Sequence, residues 1–336
     1  MNMTGEKMKK YRIEHLNQVL ETNHYVYFEP EKCEQIRAAF YQKPEWDEVR
    51  KNLIAIESGG TSVATINDFY FKDLMAKVKL YSPRWSIEEV LQSDELLGYF
   101  WSRILASDKV FPKNAPLIKN FETAFRISGG GVTMKPSNFP MKSVDRILQK
   151  YNLNNSYLDF SCGWGVRMLS AFKHRIDYFG IEPNFLLVER LQQLHQDYET
   201  VNLVQVNKEI RVTGSELLQS DWQGKFGLVF SSPPYFNLED YKIGEQSYKE
   251  GLSFSDWLTN YLNPTILNIH TYLIPNGFFA INIKNFADYK LTEAVFNMAN
   301  GLFEHQETIC LENIKRPSAK KDLNTDENIF IFRKLQ

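Results

Sequence analysis

Phe226-Gly-Leu-Val-Phe-Ser-Ser-Pro-Pro-Tyr235 runs from a continuous apolar segment straight into two prolines. Apolar residues without polar alternation read as a buried parallel strand, here Phe226–Phe230. Proline lacks an N–H and holds φ near about −65°, so a central strand cannot continue through it. The backbone must stiffen and turn at the strand's carboxyl end, the place where open α/β sheets hold ligands. The turn presents the Ser232 hydroxyl, the Pro233 carbonyl and the Tyr235 ring. The same run would also serve as a rigid strand exit with an incidental tyrosine, so the rest of the chain has to decide.

Outward from that strand, the pattern alternates. Tyr157–Phe160 reads as a strand, Val166–Phe172 as a helix, Tyr178–Ile181 as a strand and Phe185–Tyr198 as a helix. Glu209–Val212 is a third strand, Phe226–Phe230 the fourth, Trp257–Tyr272 a helix, and Phe278–Lys284 a fifth strand after a turn at Pro275-Asn-Gly277. Two more strands, Thr308–Ile314 and Asn328–Lys334, close the chain without a helix between them. This predicts a doubly wound, mostly parallel seven-stranded sheet, Rossmann-like, with one antiparallel member. Residues 1–115 read as a mainly helical accessory region, with helices Glu31–Tyr41 and Trp46–Ile56 and a break at Ser58-Gly-Gly-Thr-Ser62. Ser86-Ile-Glu-Glu89 has the form of a capping box, opening a helix that runs through Val90, Leu91 and Leu97. Residues 116–336 form the α/β part.

Composition bounds the function. The 336 residues are 43% hydrophobic and 24% charged with a net charge of −2, so any nucleic-acid-binding groove has to be local. Three cysteines, Cys33, Cys162 and Cys310, lie far apart with no Cys-x-x-Cys pair, which argues against a zinc site or a disulfide framework and fits a reducing cytoplasm. No signal peptide or membrane-spanning run is legible. Most of the aromatic residues of the N-terminal region, Phe69, Tyr70, Phe71, Trp85, Tyr99, Phe100 and Trp101, are expected in a core, with base stacking the minority role. Lys72, Lys77, Lys79, Arg84 and Arg103 read as a solvated basic scatter.

Two constellations carry chemistry. The first is Asp159-Phe-Ser-Cys-Gly-Trp-Gly165 with Glu182-Pro183 at the tip of the next strand. Gly163 and Gly165 let the loop pass close to a ligand, and Glu182 can accept both hydroxyls of a ribose. The third glycine of a dinucleotide site is missing, since position 168 is Met, which disfavours a nicotinamide dehydrogenase. Asp159 places an anion at the strand tip and suits a cationic nucleoside without phosphates: S-adenosylmethionine, with Asp159, Ser161 and the glycine loop at its methionine end and Ser215 or Glu216 at its adenine amine. Ahead of this loop, three glycines (129–131) precede Lys135-Pro136-Ser137-Asn138, where the density of Ser, Asn and Lys favours a binding loop over a plain flexible surface loop. The second constellation is Ser232-Pro233-Pro234-Tyr235. An aromatic amine is a poor nucleophile because its lone pair is delocalised into the ring. Acceptance of its two N–H bonds by Ser232 and the Pro233 carbonyl favours a pyramidal nitrogen able to attack a sulfonium methyl. Tyr235 would stack on a base flipped from its duplex.

With those motifs quoted, the chain from about Phe125 onward resembles the exocyclic-amino DNA methyltransferases, the N4-cytosine and N6-adenine class. Tyr235-Phe-Asn-Leu-Glu-Asp-Tyr241 followed by Gln246-Ser247 is most similar to phage and prophage-borne members. The resemblance implies the class I S-adenosylmethionine-dependent fold, DNA as partner and a place in DNA modification or restriction–modification. Ser at the position before Pro-Pro leans toward cytosine N4. The only long insertion in the catalytic part, residues 236–255, is the candidate target-recognition segment, and its small size leaves the rest of the DNA grip to the N-terminal region or to a second subunit of a homodimer. Lys242, Lys249, Lys284 and the cluster Lys315, Arg316, Lys320 and Lys321 are the candidate phosphate contacts. Similar Pro-Pro-Tyr enzymes methylate RNA guanine N2 or a protein glutamine amide. A cofactor-binding or DNA-binding module without catalysis is the rival from another class.

Overall fold

The computed structural model describes residues 28–80, 85–105, 121, 136–311 and 327–335. Helices α1 (Pro30–Tyr41), α2 (Trp46–Glu57), α3 (Ala64–Tyr70) and α4 (Lys72–Lys77) come first, then β1 (Lys79–Leu80), α5 (Ile87–Gln92) and α6 (Asp94–Leu105). The helix expected through Leu97 is two helices, because Ser93 interrupts it and its Oγ accepts from the Leu96 N–H (3.2 Å). The capping box at the start of α5 is formed: Ser86 Oγ accepts from the Glu89 N–H (3.1 Å) and the Glu89 carboxylate accepts from the Ser86 N–H (2.6 Å).

By contacts the described chain falls into two units, neither continuous in sequence. The first takes its described residues from 1–44, 71–137 and 238–243. Its core gathers Cys33, Ile36 and Phe40 of α1 with Ile87, Val90 and Leu91 of α5 and Leu97 and Phe100 of α6. Residues 45–70, α2 and α3, group instead with the sheet, although they precede it by a long stretch of chain. The reason is polar as well as apolar. Glu57 at the end of α2 accepts from Arg175 and Tyr198, and Tyr70 of α3 donates to Asp197 (2.5 Å).

The second unit is the α/β part. It comprises α7 (Met141–Tyr151), β2 (Ser156–Asp159), α8 (Val166–Lys173), β3 (Asp177–Ile181), α9 (Phe185–Asn202), β4 (Lys208–Arg211) and β5 (Phe226–Ser231). Strand β6 (Glu239–Asp240) belongs to the first unit, where it pairs with β1. Then come α10 (Phe254–Trp257), α11 (Asn263–Tyr272), β7 (Leu273–Ile283), α12 (Leu291–Ala299), β8 (Phe303–Cys310) and β9 (Asn328–Lys334). A π-helical turn, Leu258–Leu262, joins α10 to α11 just before Pro264, which has no N–H to give a regular turn.

The sheet has seven strands in the order β4-β3-β2-β5-β7-β9-β8. Strands β2 to β5 and β7 are parallel, and β9 lies antiparallel to both β7 and β8. The doubly wound, mostly parallel architecture with one antiparallel strand is therefore present. From β2 the order steps outward through β3 and β4 on one side and through β5 and β7 on the other. Right-handed crossovers then place helices on both faces and leave a topological switch point between β2 and β5. All six residues of β5 are buried, as a strand covered on both faces requires. Pro275-Asn-Gly277, expected as a turn, is a bulge inside β7: the pairing jumps from Phe226↔Leu273 to Leu228↔Phe278, with Asn276 at φ 62°.

The loop that leads into α8 depends on a residue without Cβ. Gly165 caps α8 at φ 76°, and a Cβ there would lie 2.9 Å from Leu191 Cδ2 of α9. Backbone handedness and packing point the same way. Gly165→Ala is expected to cost about 1–3 kcal/mol, read as a lowered denaturation midpoint with an unchanged m-value; full native stability would remove this constraint.

Candidate active site

The carboxyl ends of β2, β3, β4, β5 and β7 each deliver one of the residues singled out above or a partner of one. At the tip of β2, Asp159 has no exposed surface. Its Oδ2 accepts from Arg167 Nε of α8 (2.9 Å) and the Tyr178 hydroxyl of β3 (3.1 Å), while Oδ1 accepts from the Ser231 hydroxyl at the end of β5 (2.7 Å). The Ser231 bond spans the switch point. Arg167 also donates to the Ser161 carbonyl, so the guanidinium ties the strand tip to its own loop. Burial alone would lower the guanidinium's pKa, but the Asp159 carboxylate beside it holds Arg167 above its ordinary value. The Asp159 charge is thus neutralised inside the protein rather than presented as a bare anion at the strand tip. Arg167 was not anticipated from the sequence, where it reads as one more cation on an amphipathic helix.

Around this pair the loop folds back on β3. Cys162 N–H donates to the Ile181 carbonyl (3.2 Å), and its thiol packs where a Cβ on Gly180 would sit, 2.5 Å away. Burial pushes the Cys162 thiol well above its ordinary value, which makes it an inert packing group. Gly163, at φ 56°, turns its N–H toward Glu182 Oε2 (3.4 Å), and Asn184 N–H meets Oε1 (3.1 Å). Glu182 is 7% exposed; burial raises its carboxyl to about 7 against those two N–H bonds. Pro183 follows, and Asn184 then caps α9 with its Oδ1 on the Leu187 N–H. On the other side, Asn67 of α3 donates to Asn138 Oδ1 (2.7 Å) and toward the Trp164 carbonyl (3.5 Å), so α3 braces the same loop.

Beyond β4, Ser215 is buried with its Oγ 3.0 Å from Thr265 Oγ1, and its carbonyl accepts from Asn268 Nδ2 (3.0 Å). Glu216 beside it is half-buried. Ser232 and Tyr235, after β5, converge on a residue that the sequence reading passed over. Asn282, a lone amide in the apolar run of β7, is fully buried. Its Oδ1 accepts from Ser232 Oγ (3.1 Å) and the Tyr235 hydroxyl (3.0 Å), and its Nδ2 donates to the Asn328 carbonyl of β9 (3.0 Å). Tyr235 is 7% exposed and tethered by its tip, with its hydroxyl also 3.1 Å from the Asn282 carbonyl. A polar residue in the otherwise apolar run Phe278–Ile283 was the available signal.

The insertion 236–255 does not stand out as one free segment. Phe236, at φ 52°, packs its ring against Tyr248, Phe254, Trp257 and Tyr289 with centroids 5.0–5.8 Å apart. Residues 238–243 belong to the first unit through β6. Of the candidate phosphate contacts, Lys242 pairs with Asp240 (2.6 Å), Lys249 with Glu245 (3.7 Å) and Lys284 with Glu327 (3.7 Å). Lys72, Lys77 and Lys79 are likewise engaged, the first over the Phe40 ring and the others with Glu88 and Glu89. Pro136 and Ser137 fall in the first unit and Asn138 in the second. Lys135, the three glycines, Arg84 and the cluster from Lys315 to Lys321 lie outside the described residues, as do the side chains of Trp101 and Arg103. Among the described residues no helix is long and apolar enough to cross a membrane.

No family model matches the chain, and no curated protein matches it. Among solved structures it is similar to the N-methyltransferase NodS from Bradyrhizobium japonicum WM9, at 13% identity over 58% of this chain and 94% of that one, with a TM-score of 0.40. It is also similar to the tRNA (m1A58) methyltransferase TrmI from Aquifex aeolicus, at 13% identity over 68% of this chain and 89% of that one, TM-score 0.41. A putative rRNA-methylase from Clostridium thermocellum gives 14% identity over 60% of this chain and 100% of that one, TM-score 0.39. At these scores the likenesses carry no argument about activity, which has to come from the site itself.

Two outcomes test the site's electrostatics. Asp159→Ala strands a buried guanidinium and is expected to cost about 3–5 kcal/mol, whereas Asp159→Ala with Arg167→Leu should be less destabilised than the single variant; a double variant no more stable than the single one would refute the pairing. Glu182 titrates higher in the folded chain, about 7, than its ordinary 4.5, so the folded state holds its proton longer. Its contribution to stability is present below pH 4.5 and is lost as pH rises through 7. Glu182→Gln should therefore gain stability relative to the parent across that interval, measured by denaturant midpoints at a series of pH values.

Proposed function

We propose that this chain is an S-adenosylmethionine-dependent methyltransferase acting on the exocyclic amine of a DNA base, cytosine N4 or adenine N6. The observation that carries the reading is the placement of Ser232-Pro233-Pro234-Tyr235 directly beyond β5, beside the switch point that the Ser231–Asp159 hydrogen bond closes. The ligand crevice and the acceptor-rich turn then share one edge of the sheet.

The cofactor's shape fits this edge in part. Glu182, at the tip of β3, is a buried carboxylate bonded, among the described residues, to two backbone N–H groups, a donor set that two ribose hydroxyls can complete. Gly163 keeps the loop free of any Cβ beside it, and Ser215 with Glu216 lies one strand further out for the adenine amine. Asp159 fits less directly: with both oxygens engaged, it serves the methionine end by holding Ser161 and the glycine loop in place through Arg167. When bound, S-adenosylmethionine supplies an electrophilic sulfonium methyl. The chain's own task is to orient the nucleophile. Ser232 Oγ and the Pro233 carbonyl accept the two N–H bonds of the amine, which withdraws the nitrogen lone pair from the ring and aims it away from those acceptors. Tyr235, tethered through its hydroxyl, offers its ring face to the base. The nitrogen gains a methyl and, in becoming neutral, releases one proton.

DNA as substrate rests on the resemblance of Ser232–Tyr241 to the amino-methylating class. The ion-paired state of Lys242, Lys249 and Lys284 does not add to it. The deciding experiment is transfer of labelled methyl from S-adenosylmethionine to duplex DNA, with the nucleosides separated by mass. N4-methylcytosine or N6-methyladenine, lost on Ser232→Ala by at least about 100-fold, is the expected result. Transfer to RNA or to a protein glutamine instead of DNA would replace the substrate. No transfer and no cofactor binding would overturn the reading.

A further inference from the structure

The structure assigns Asn282 as the positioning residue that fixes the proton of Ser232 and so makes that hydroxyl an acceptor toward the nucleophile; this rests on the function proposed above. A serine hydroxyl rotates freely and can donate or accept. If its proton pointed at the incoming amine, the contact would be donor against donor and would repel the group it is meant to hold. Asn282 removes that freedom. Its Nδ2 is committed to the Asn328 carbonyl of β9 (3.0 Å), and this fixes which way the amide faces. Oδ1 therefore faces Ser232, and as a carbonyl oxygen it can only accept, so Ser232 must donate to it at 3.1 Å. With the proton directed into the protein, both lone pairs of Ser232 Oγ are left for a donor from outside.

The same oxygen takes the Tyr235 hydroxyl at 3.0 Å, so one buried amide sets both ends of the turn. Asn282 is itself fully buried in β7, between β5 and β9, and cannot reorient without breaking its bond to Asn328. The consequence is a preference in substrate class. A site whose side chain and backbone oxygen both accept selects an –NH2 nucleophile, which brings two donors. It discriminates against a ring nitrogen or a carbonyl oxygen, which bring none.

The test is a double-mutant cycle on methyl transfer, with cofactor affinity measured alongside. Asn282→Ala is expected to lower kcat on the order of tenfold while the S-adenosylmethionine Kd stays within about twofold, which also shows that the variant is folded. In a Ser232→Ala background the same change should cost less than in the parent, because the part that acts through the serine is already gone and only the Tyr235 tether is left to lose. Independent, multiplying losses in the two single variants would overturn the role while leaving the function standing. An unmodified protein that methylates no amine at all would overturn both.

Discussion

A single buried carboxylate–guanidinium pair organises the working edge of this protein. Asp159 and Arg167 cannot leave one another without stranding a charge away from water, and each reaches further. Through Ser231 the pair fixes the spacing between β2 and β5; through the Ser161 carbonyl it fixes the path of the loop; through Tyr178 it reaches β3. Three adjacent strands are thereby locked at the ends where their loops diverge. A pair of this kind adds little net stability compared with apolar residues of the same volume, but it accepts only one arrangement of the groups around it. For the proposed transfer between a small nucleoside and a base, that restriction is the useful property.

A second restriction lies one strand away. Asn282 does for the Ser232–Tyr235 turn what Asp159 does for the glycine loop: it is a buried polar centre whose every atom is engaged and whose orientation is set from outside the site. The two centres flank β5, which is apolar from Phe226 to Phe230 and carries a polar side chain only at its end, Ser231. Specificity in geometry therefore comes from the neighbours of β5, while β5 supplies burial. Each large apolar side chain covered in this way contributes about 1.5–3 kcal/mol, enough to carry the cost of keeping two polar centres dry.

The fold was legible in the sequence because its signals are local and redundant. Apolar runs at Tyr157, Tyr178, Phe226 and Phe278 mark strands, and the motifs between them end at the same edge of the sheet. What escaped was non-local. Arg167 looks like a surface cation until β2 is placed beneath it, and Asn282 looks like an imperfection in a strand until the Pro-Pro turn is folded onto it. Asp159 reads as a bare anion at the strand tip for the same reason, since its partner lies eight residues away on a helix. Residues 45–70 joined the sheet rather than the helical region because Glu57, Asn67 and Tyr70 find partners there that spacing along the chain does not announce.

The position of β9 bears on how the protein matures as it is synthesised. This strand is the last in chain order, yet it is inserted between β7 and β8 and supplies the Asn328 carbonyl that orients Asn282. A nascent chain that has emerged through β7 can assemble the glycine loop and the parallel strands. It still holds a buried amide whose Nδ2 lacks its Asn328 acceptor and a sheet edge open beside the Ser232–Tyr235 turn. The glycine loop at the tip of β2 can therefore form on the ribosome well before the Ser232–Tyr235 turn is set, which waits for the arrival of Asn328–Lys334.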